Sequence, residues 1–229
     1  MNSWESVSCA CIPPILLTIP TRTLHIFTGC MLGDGSIRRG PNTKNQYPGP
    51  GRYAMTIAAA VYDYHKWLFD TVFTTFCSIG RILTPWPNPN TGKPTAHHAF
   101  STLSSPVFTA LHNIWYQYDV DLGTYVKIVP NFVELMFSGI SLAHWIIQDG
   151  YFDKHGQTQT IILCTESFTM AECHILKNVL AESGIISTLK TRNKDKNTYR
   201  IRISKKSIPR VRELVMPHMH PSYLYKLGL

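Results

Sequence analysis

FTGCMLGDG, residues Phe27–Gly35, has an echo in the second half of the chain, LAHWIIQDG, residues Leu142–Gly150. Each is an apolar run that ends in Asp-Gly. If such a run is a helix, it carries the carboxylate of Asp34 or Asp149 to its C-terminal tip, and the following glycine is expected to adopt the left-handed conformation that commonly ends helices. Two such helices side by side would bring two acids together at one end. Taken alone, the motif fits equally well two unrelated core helices with ordinary terminal Asp-Gly turns. Repeats and basic residues elsewhere have to separate the two readings.

Outward from Gly35, Ser36–Arg39 and Arg52–Ala58 read as strands around a Gly/Pro/Asn-rich loop. Val61–Ser78 places Tyr64, Trp67, Leu68, Val72 and Phe76 at helical spacing, and Gly80 supplies the stop. Arg81–Leu83 and Ala99–Leu103 read as strands flanking a Pro-rich connection. Pro106–Tyr118 reads as a helix, and Asp119–Pro130, which contains Lys127, as a linker. Residues 1–22, with Pro13, Pro14 and Pro20, read as an irregular arm.

The second half follows the same order. Gly150 leads into a shorter hairpin, then Thr169–Ser183 reads as a helix with Met170, Cys173, Leu176, Val179 and Leu180 on one side, ended by Gly184. Ile185–Thr191 and Thr198–Ser204 read as strands joined by RNKDKN; in the second, Arg200, Arg202 and Ser204 share one face, and Tyr199, Ile201 and Ile203 the other. Ser207–Met216 reads as a closing helix before the tail SYLYKLGL. Each half thus reads helix, two strands, helix, two strands, helix. The interval from Ile57 to Gly80 nearly equals that from Ile162 to Gly184, and the halves differ mainly in hairpin length, which loop tips tolerate. The expected fold class is α+β, two pseudo-symmetric αββαββα repeats packed through the two motif helices, with an arm at 1–23, a first repeat and linker at 24–137 and a second repeat at 138–229.

Composition narrows the function classes. The 229 residues are 44% hydrophobic and 16% charged, the balance of a globular chain. The net charge is +8, unevenly spread: nine Lys and Arg face seven Asp and Glu in residues 1–140, and thirteen face seven in 141–229. Such a chain suits a polyanionic partner. The six cysteines form no CxxC pair, and neither they nor His97, His98, His174, His218 and His220 have zinc spacing, so a reducing compartment is expected. No run reaches the length of a membrane span, and Ile12–Ile19 is broken by Pro13 and Pro14, so a soluble chain without a visible secretion signal is expected.

A pseudo-symmetric molecule with two central acids, flanked by sheets that bear cations, has the outline of a nuclease. Two carboxylates can share divalent cations, which turn water into a nucleophile and stabilise a leaving oxygen. Lys127 in YVKIVP and Lys226 in YLYKLGL are the last isolated cations of their halves and could assist. Without the repeat, each is an ordinary surface lysine.

FTGCMLGDG and LAHWIIQDG resemble the two copies of the motif that names the LAGLIDADG homing endonucleases, and the chain is similar to the single-chain, two-repeat, intron-encoded members of the yeast-mitochondrial type. The resemblance runs from about Leu24 to Lys226. It is strongest in the second half, through LAHWIIQDGYF, TESFTMAEC, the basic hairpin, MPHM and YKL; in the first half GCMLGDGSI and KIVPN carry it. It implies that Asp34 and Asp149 are catalytic, metal-binding carboxylates, with Gly33 and Gln148 adjoining them in the metal site. It implies that Lys127 and Lys226 lie near the attacking waters, and that Gly29 and Gly33 let the motif helices approach closely. His144, Trp145 and Gln148 depart from the small residues of the pattern.

The resemblance also implies two sheets lying in successive major grooves of double-stranded DNA. Arg38, Arg39, Lys44, Arg52 and Arg81 would serve one sheet, and Lys154, Lys190, Arg192, Arg200 and Arg202 the other. Any one of these cations could equally belong to a plain solvated face. The implied cofactor is Mg2+, with Mn2+ substituting and Ca2+ supporting binding without turnover. The expected protein is a monomer that makes a double-strand break in a long, nearly asymmetric site, organelle-encoded, in a mitochondrion rather than a chloroplast. Two other roles fit the same scaffold: an RNA-binding maturase that assists intron splicing, and a non-catalytic DNA-binding regulator.

Overall fold

The structure is a computed structural model and describes residues 12–41, 48–58, 62–77, 81–87, 94–155 and 159–229. The chain divides into two compact units, Asp34–Asn113 and Met1–Gly33 with Ile114–Leu229. In chain order the helices are α1 (Thr21–Leu32), α2 (Tyr62–Leu68), α3 (Pro106–Trp115), α4 (Gly139–Asp149), α5 (Met170–Glu182) and α6 (Ile208–Val215). The strands are β1 (Ser36–Pro41), β2 (Pro48–Ala58), β3 (Arg81–Pro87), β4 (Pro94–Ser101), β5 (Tyr116–Asp119), β6 (Thr124–Lys127), β7 (Gly150–Asp153), β8 (Thr160–Cys164), β9 (Ser187–Asn193) and β10 (Thr198–Ile203).

The duplication read from the sequence is present in the sheets. Each is four-stranded and antiparallel, ordered β1-β2-β4-β3 in one half and β7-β8-β10-β9 in the other, so the second and fourth strands of each repeat pair at the centre. The strand alternation also holds. In β10, Ile201 and Ile203 are buried while Arg200 and Arg202 are only half-covered, as a sheet with one packed face requires.

The larger unit is built on the two motif helices. α1 buries Leu24, Ile26, Phe27, Cys30 and Met31, and α4 buries Leu142, Ala143, Trp145, Ile146 and Ile147. α5 covers the second sheet with Cys173, Leu176, Val179 and Leu180, opposite Ile161, Leu163 and Ile201. In the smaller unit an aromatic cluster fills the core: Tyr53 stacks on Phe73 with centroids 4.5 Å apart, and Phe100 packs on Phe73 at 4.9 Å.

Three local expectations are corrected. Gly150 does not turn left-handed (φ −97°, ψ 156°), and Gly35 is not among the glycines of positive φ. α4 runs straight into β7, whereas a turn at residues 33–35 separates α1 from β1, and Gly150 is required for space instead, since a Cβ there would lie 2.7 Å from the Ile146 backbone. The helix expected over Val61–Ser78 is α-helical only to Leu68. It widens into a π-turn over Phe69–Phe73 and a 3-10 turn, with the Thr74 hydroxyl donating to the carbonyls of Phe69 and Asp70. The helix expected over Pro106–Tyr118 stops at Trp115, and the linker that follows is a hairpin: Tyr116 pairs with Lys127 and Tyr118 with Tyr125. Asp119 Oδ1 accepts from the N–H groups of Asp121 and Leu122 and Gly123 takes φ 63°, so turn chemistry and strand-favouring aromatics end the helix early. Gly184, by contrast, ends α5 with φ 78° as read.

Candidate active site and nucleic-acid interface

The two motif helices touch because α1 offers glycine where α4 offers bulk. A Cβ on Gly29 would collide with the Ser141 carbonyl oxygen and come within 2.8 Å of the His144 Cβ; one on Gly33 would lie 2.6 Å from the Gln148 Cβ. His144 and Gln148 of the second motif are therefore the knobs that fill the first motif's gaps. Ser141 Oγ donates to the His25 carbonyl at 2.8 Å, and Gln148 Nε2 lies 3.2 Å from Cys30 Sγ. His144 is buried, and burial lowers its pKa to about 3, with the charges of Arg22 and His218 adding to the shift. It is a neutral packing group.

Each helix ends with free carbonyls, the negative end of its dipole, and each of these ends holds a lysine. Lys127 Nζ donates to the carbonyls of Met31 and Gly33, both at 3.0 Å. Lys226 Nζ donates to those of Ile147 at 2.5 Å and Gln148 at 3.5 Å. Gly33 and Gln148 are the residues immediately before Asp34 and Asp149. Two lysines picked from different sequence contexts thus grip the same position of the two motifs. Both ammoniums are half-buried, Asp149 is half-buried, and Asp34 is exposed.

Charges around Asp149 converge on Cys164, at the end of β8. Burial pushes its thiol pKa up; Glu166 and Asp149 raise it too, while Arg200 and Lys226 draw it down. These groups therefore form one cluster beside the second sheet. Arg200 lies opposite Cys164 in the ladder; its Nε is ion-paired with Glu166, its Nη1 donates to the Tyr151 hydroxyl at 3.0 Å, and its guanidinium carbon sits 5.6 Å from the Tyr151 ring centroid. Glu166 and Tyr151 were not among the residues singled out from sequence. Only the strand register brings them to Arg200, and a sequence carries no direct sign of register.

The outer face of this sheet is cationic. Lys190 lies directly opposite Arg200 across β9 and β10, and Tyr151, Asp153, Lys190, Arg192, Arg200 and Arg202 line a shallow hollow of about 210 Å³. Lys154 is exposed just beyond β7. In the smaller unit Arg38 and Arg52 are exposed and directly opposite each other across β1 and β2. Arg39 does not share their face: its Nε donates to the Gly49 carbonyl at 2.8 Å and its Nη1 to Asn113 Oδ1 at 3.2 Å. Arg81 begins β3, paired with Ala99, and Lys44 lies outside the described residues.

Among the described residues no cluster of three or more His, Cys, Asp or Glu could hold a metal ion by itself. Each motif acid offers carboxylate oxygen, the donor type that hard divalent cations such as Mg2+ take. The four described cysteines, Cys30, Cys77, Cys164 and Cys173, form no disulfide, and no described helix is long and apolar enough to cross a membrane.

Known proteins share this fold. The I-WcaI homing endonuclease bound to its DNA recognition sequence superposes with a TM-score of 0.76 at 23% identity, covering 92% of this chain and 87% of that one. I-DmoI in complex with DNA and Ca gives 0.54 at 13% identity, covering 90% and 96%. At these identities the likeness establishes the fold. Among sequences, DNA endonuclease I-ChuI of Chlamydomonas applanata is 26% identical over 219 residues, 93% of this chain and 97% of that protein. Cytochrome b mRNA maturase bI2 of Saccharomyces cerevisiae is 25% identical over 207 residues, 90% of this chain, which spans about half (47%) of that protein's length. The model of the LAGLIDADG DNA endonuclease family matches residues 24–211. With that match over most of its length, the chain belongs to the LAGLIDADG DNA endonuclease family.

Proposed function

We propose that this protein is a site-specific, metal-dependent endonuclease that hydrolyses both strands of a long DNA target, with Asp34 and Asp149 holding divalent cations and Lys127 and Lys226 assisting. The observation that carries the reading is the matched pair of lysines on the carbonyls of Gly33 and Gln148, one residue before each acid. A regulator that only binds DNA has no need of two acids and two ammoniums in equivalent places. A bound Mg2+ would lower the pKa of water and offset charge on the leaving oxygen. The lysines contribute fixed positive charge beside each acid, where a phosphate approaching the carboxylates would otherwise meet uncompensated negative charge. Arg38, Arg52, Lys190, Arg192 and Arg202 line the sheet faces that suit a duplex backbone and base edges; the two repeats, 24–137 and 138–229, would each read half of the site as a monomer. Relatives named for cytochrome b mRNA maturation and for an intron-encoded endonuclease support an intron-borne, organellar gene.

The test is cleavage of a plasmid library carrying candidate sites, with Mg2+, Mn2+ or Ca2+. The expected result is linear product with Mg2+ or Mn2+, binding without cutting in Ca2+, and loss of double-strand cutting in Asp34→Asn and Asp149→Asn with binding of the selected duplex retained. Either variant cutting at the parental rate overturns the assignment. A second reading, assistance of intron splicing, is favoured by the match of 90% of this chain to a maturase. Its sign is faster splicing of the host intron RNA by Asp34→Asn protein that no longer cuts DNA.

A further inference from the structure

A lysine ammonium sits on a long, flexible stem, so its aim depends on how firmly the backbone beneath it is held. Lys127 is the last residue of β6, and the two residues after it are anchored one by one. The N–H of Ile128 donates to the Trp115 carbonyl at 2.8 Å, and the N–H of Val129 donates to Glu172 Oε1 at 2.8 Å. Glu172 lies in the first turn of α5 and is itself fixed: its Oε2 accepts from the N–H and the hydroxyl of Thr169, both at 2.7 Å, completing a capping box. The box needs only Oε2. The second oxygen, turned toward the segment that carries Lys127, is not required for ending a helix.

Lys226 has a counterpart of opposite charge. Arg212, in the last turn of α6, sends its guanidinium to the tail: Nε and Nη2 donate to the Leu227 carbonyl at 3.1 and 2.7 Å, and Nη2 to that of Gly228 at 3.3 Å. Leu227 immediately follows Lys226, in the 3-10 turn Pro221–Leu227. A carboxylate clamps an N–H just past one lysine, and a guanidinium clamps carbonyls just past the other. Both clamps are half-buried and charge-assisted, the stronger class of hydrogen bond.

We propose that Glu172 and Arg212 are positioning residues for Lys127 and Lys226 respectively, holding each ammonium on the carbonyl that precedes its motif acid. The inference rests on the reading that these lysines serve in DNA hydrolysis. Neither clamp touches substrate, so each acts only through its own lysine. Removing Glu172 loosens Lys127 and leaves Lys226 alone; removing Arg212 does the reverse.

The experiment uses the full chain and the duplex recovered from the plasmid library, under single turnover with Mg2+, with affinity measured separately in Ca2+. Glu172→Ala and Arg212→Ala are each expected to slow cleavage about tenfold or more, since small displacements of an aligned group carry penalties of this order, while affinity in Ca2+ changes less than about twofold. The decisive readout is the mutant cycle. Adding Glu172→Ala to Lys127→Met is expected to change the rate less than about twofold, whereas adding it to Lys226→Met gives the full product of the two losses; Arg212→Ala shows the mirror pattern. Thr169→Ala, which weakens the cap and leaves the bond to Val129, lowers the melting temperature without the rate loss. If Glu172→Ala does not fold, Glu172→Asp, which keeps a carboxylate for the cap but is one methylene too short to hold Val129 as well, takes its place in the cycle. An undiminished effect in the Lys127→Met background, or parental cutting by both alanine variants, overturns the inference while leaving the lysines' role standing. Parental cutting by Lys127→Met and Lys226→Met overturns the underlying reading, and the inference with it.

Discussion

His144 shows how one residue can be chosen for shape and still make the molecule sensitive to acid. It is 1% exposed, fills the space left by Gly29, and has its pKa lowered to about 3 by burial, with Arg22 and His218 adding. The unfolded chain takes up a proton on this imidazole near pH 6.5, and the folded chain does not until about pH 3. Between those values the unfolded state binds more protons, so stability is intact above pH 6.5 and declines as pH falls toward 3. The slope from one such group is about 1.4 kcal/mol per pH unit, or roughly 2 kcal/mol by pH 5. His112, buried beside Arg39 and lowered to about 4, acts in the same direction in the smaller unit. Urea unfolding at pH 7.5 and pH 5.0 tests this: the parent should lose stability between the two, and His144→Leu should lose about 2 kcal/mol less. Equal pH dependence in the two proteins would rule out His144 as the source.

At the level of the element, the close pairing of α1 with α4 makes both of its glycines costly to replace. At Gly29 the intruding Cβ meets the Ser141 backbone carbonyl, and at Gly33 it meets the Gln148 Cβ, an atom fixed to its own backbone, so neither neighbour can move without displacing the helix. Gly29→Ala and Gly33→Ala should therefore each destabilise by about 2–3 kcal/mol despite the better helix propensity of alanine, measured by denaturant unfolding. Gly33→Ala should also lower the cleavage rate more than it lowers stability, because the Gly33 carbonyl is a Lys127 acceptor. The pairing was legible in FTGCMLGDG and LAHWIIQDG because small residues recur on one copy at helical spacing. Element order and strand faces were legible for the same reason, periodicity. The end of α3 was not: Tyr116 and Tyr118 continue an apolar pattern that suits helix and strand alike, and pairing with β6 decides the outcome. The left-handed cap after the second motif failed because strand pairing begins at once, between Gly150 and Leu163. Of the proposed site, the acids and lysines are singled out by the repeat. Glu172 could have been flagged only as a cap from the Thr169–Glu172 spacing, since its second partner, Val129, lies 43 positions away in sequence.

Across the whole molecule, charge is placed where it opposes folding. Arg38 faces Arg52 directly across an antiparallel ladder, where like charges repel, while Lys190 faces Arg200, whose charge Glu166 partly offsets. The Arg38–Arg52 pair fits a surface that acquires its counter-charge from a polyanion. Each phosphate neutralised contributes about 0.9 to the slope of log affinity against log salt on duplex DNA. Replacing Arg38 and Arg52 together, or Lys190 and Arg192 together, by alanine should therefore flatten that slope by about 1.8 in either case. Arg39→Ala provides the contrast. Its guanidinium is committed to Gly49 and Asn113, so its loss should lower stability and leave the salt slope unchanged. Stability separates the two kinds of cation further. Removing Arg38 relieves its repulsion with Arg52, so Arg38→Ala should unfold at a higher denaturant concentration, by a few tenths of a kcal/mol, while binding the selected duplex more weakly. Weaker binding together with firmer folding is the combination that a structural arginine cannot produce. If Arg38→Ala instead destabilises the chain and leaves the salt slope intact, the β1–β2 face is not a DNA surface and the smaller unit must engage its target through other residues.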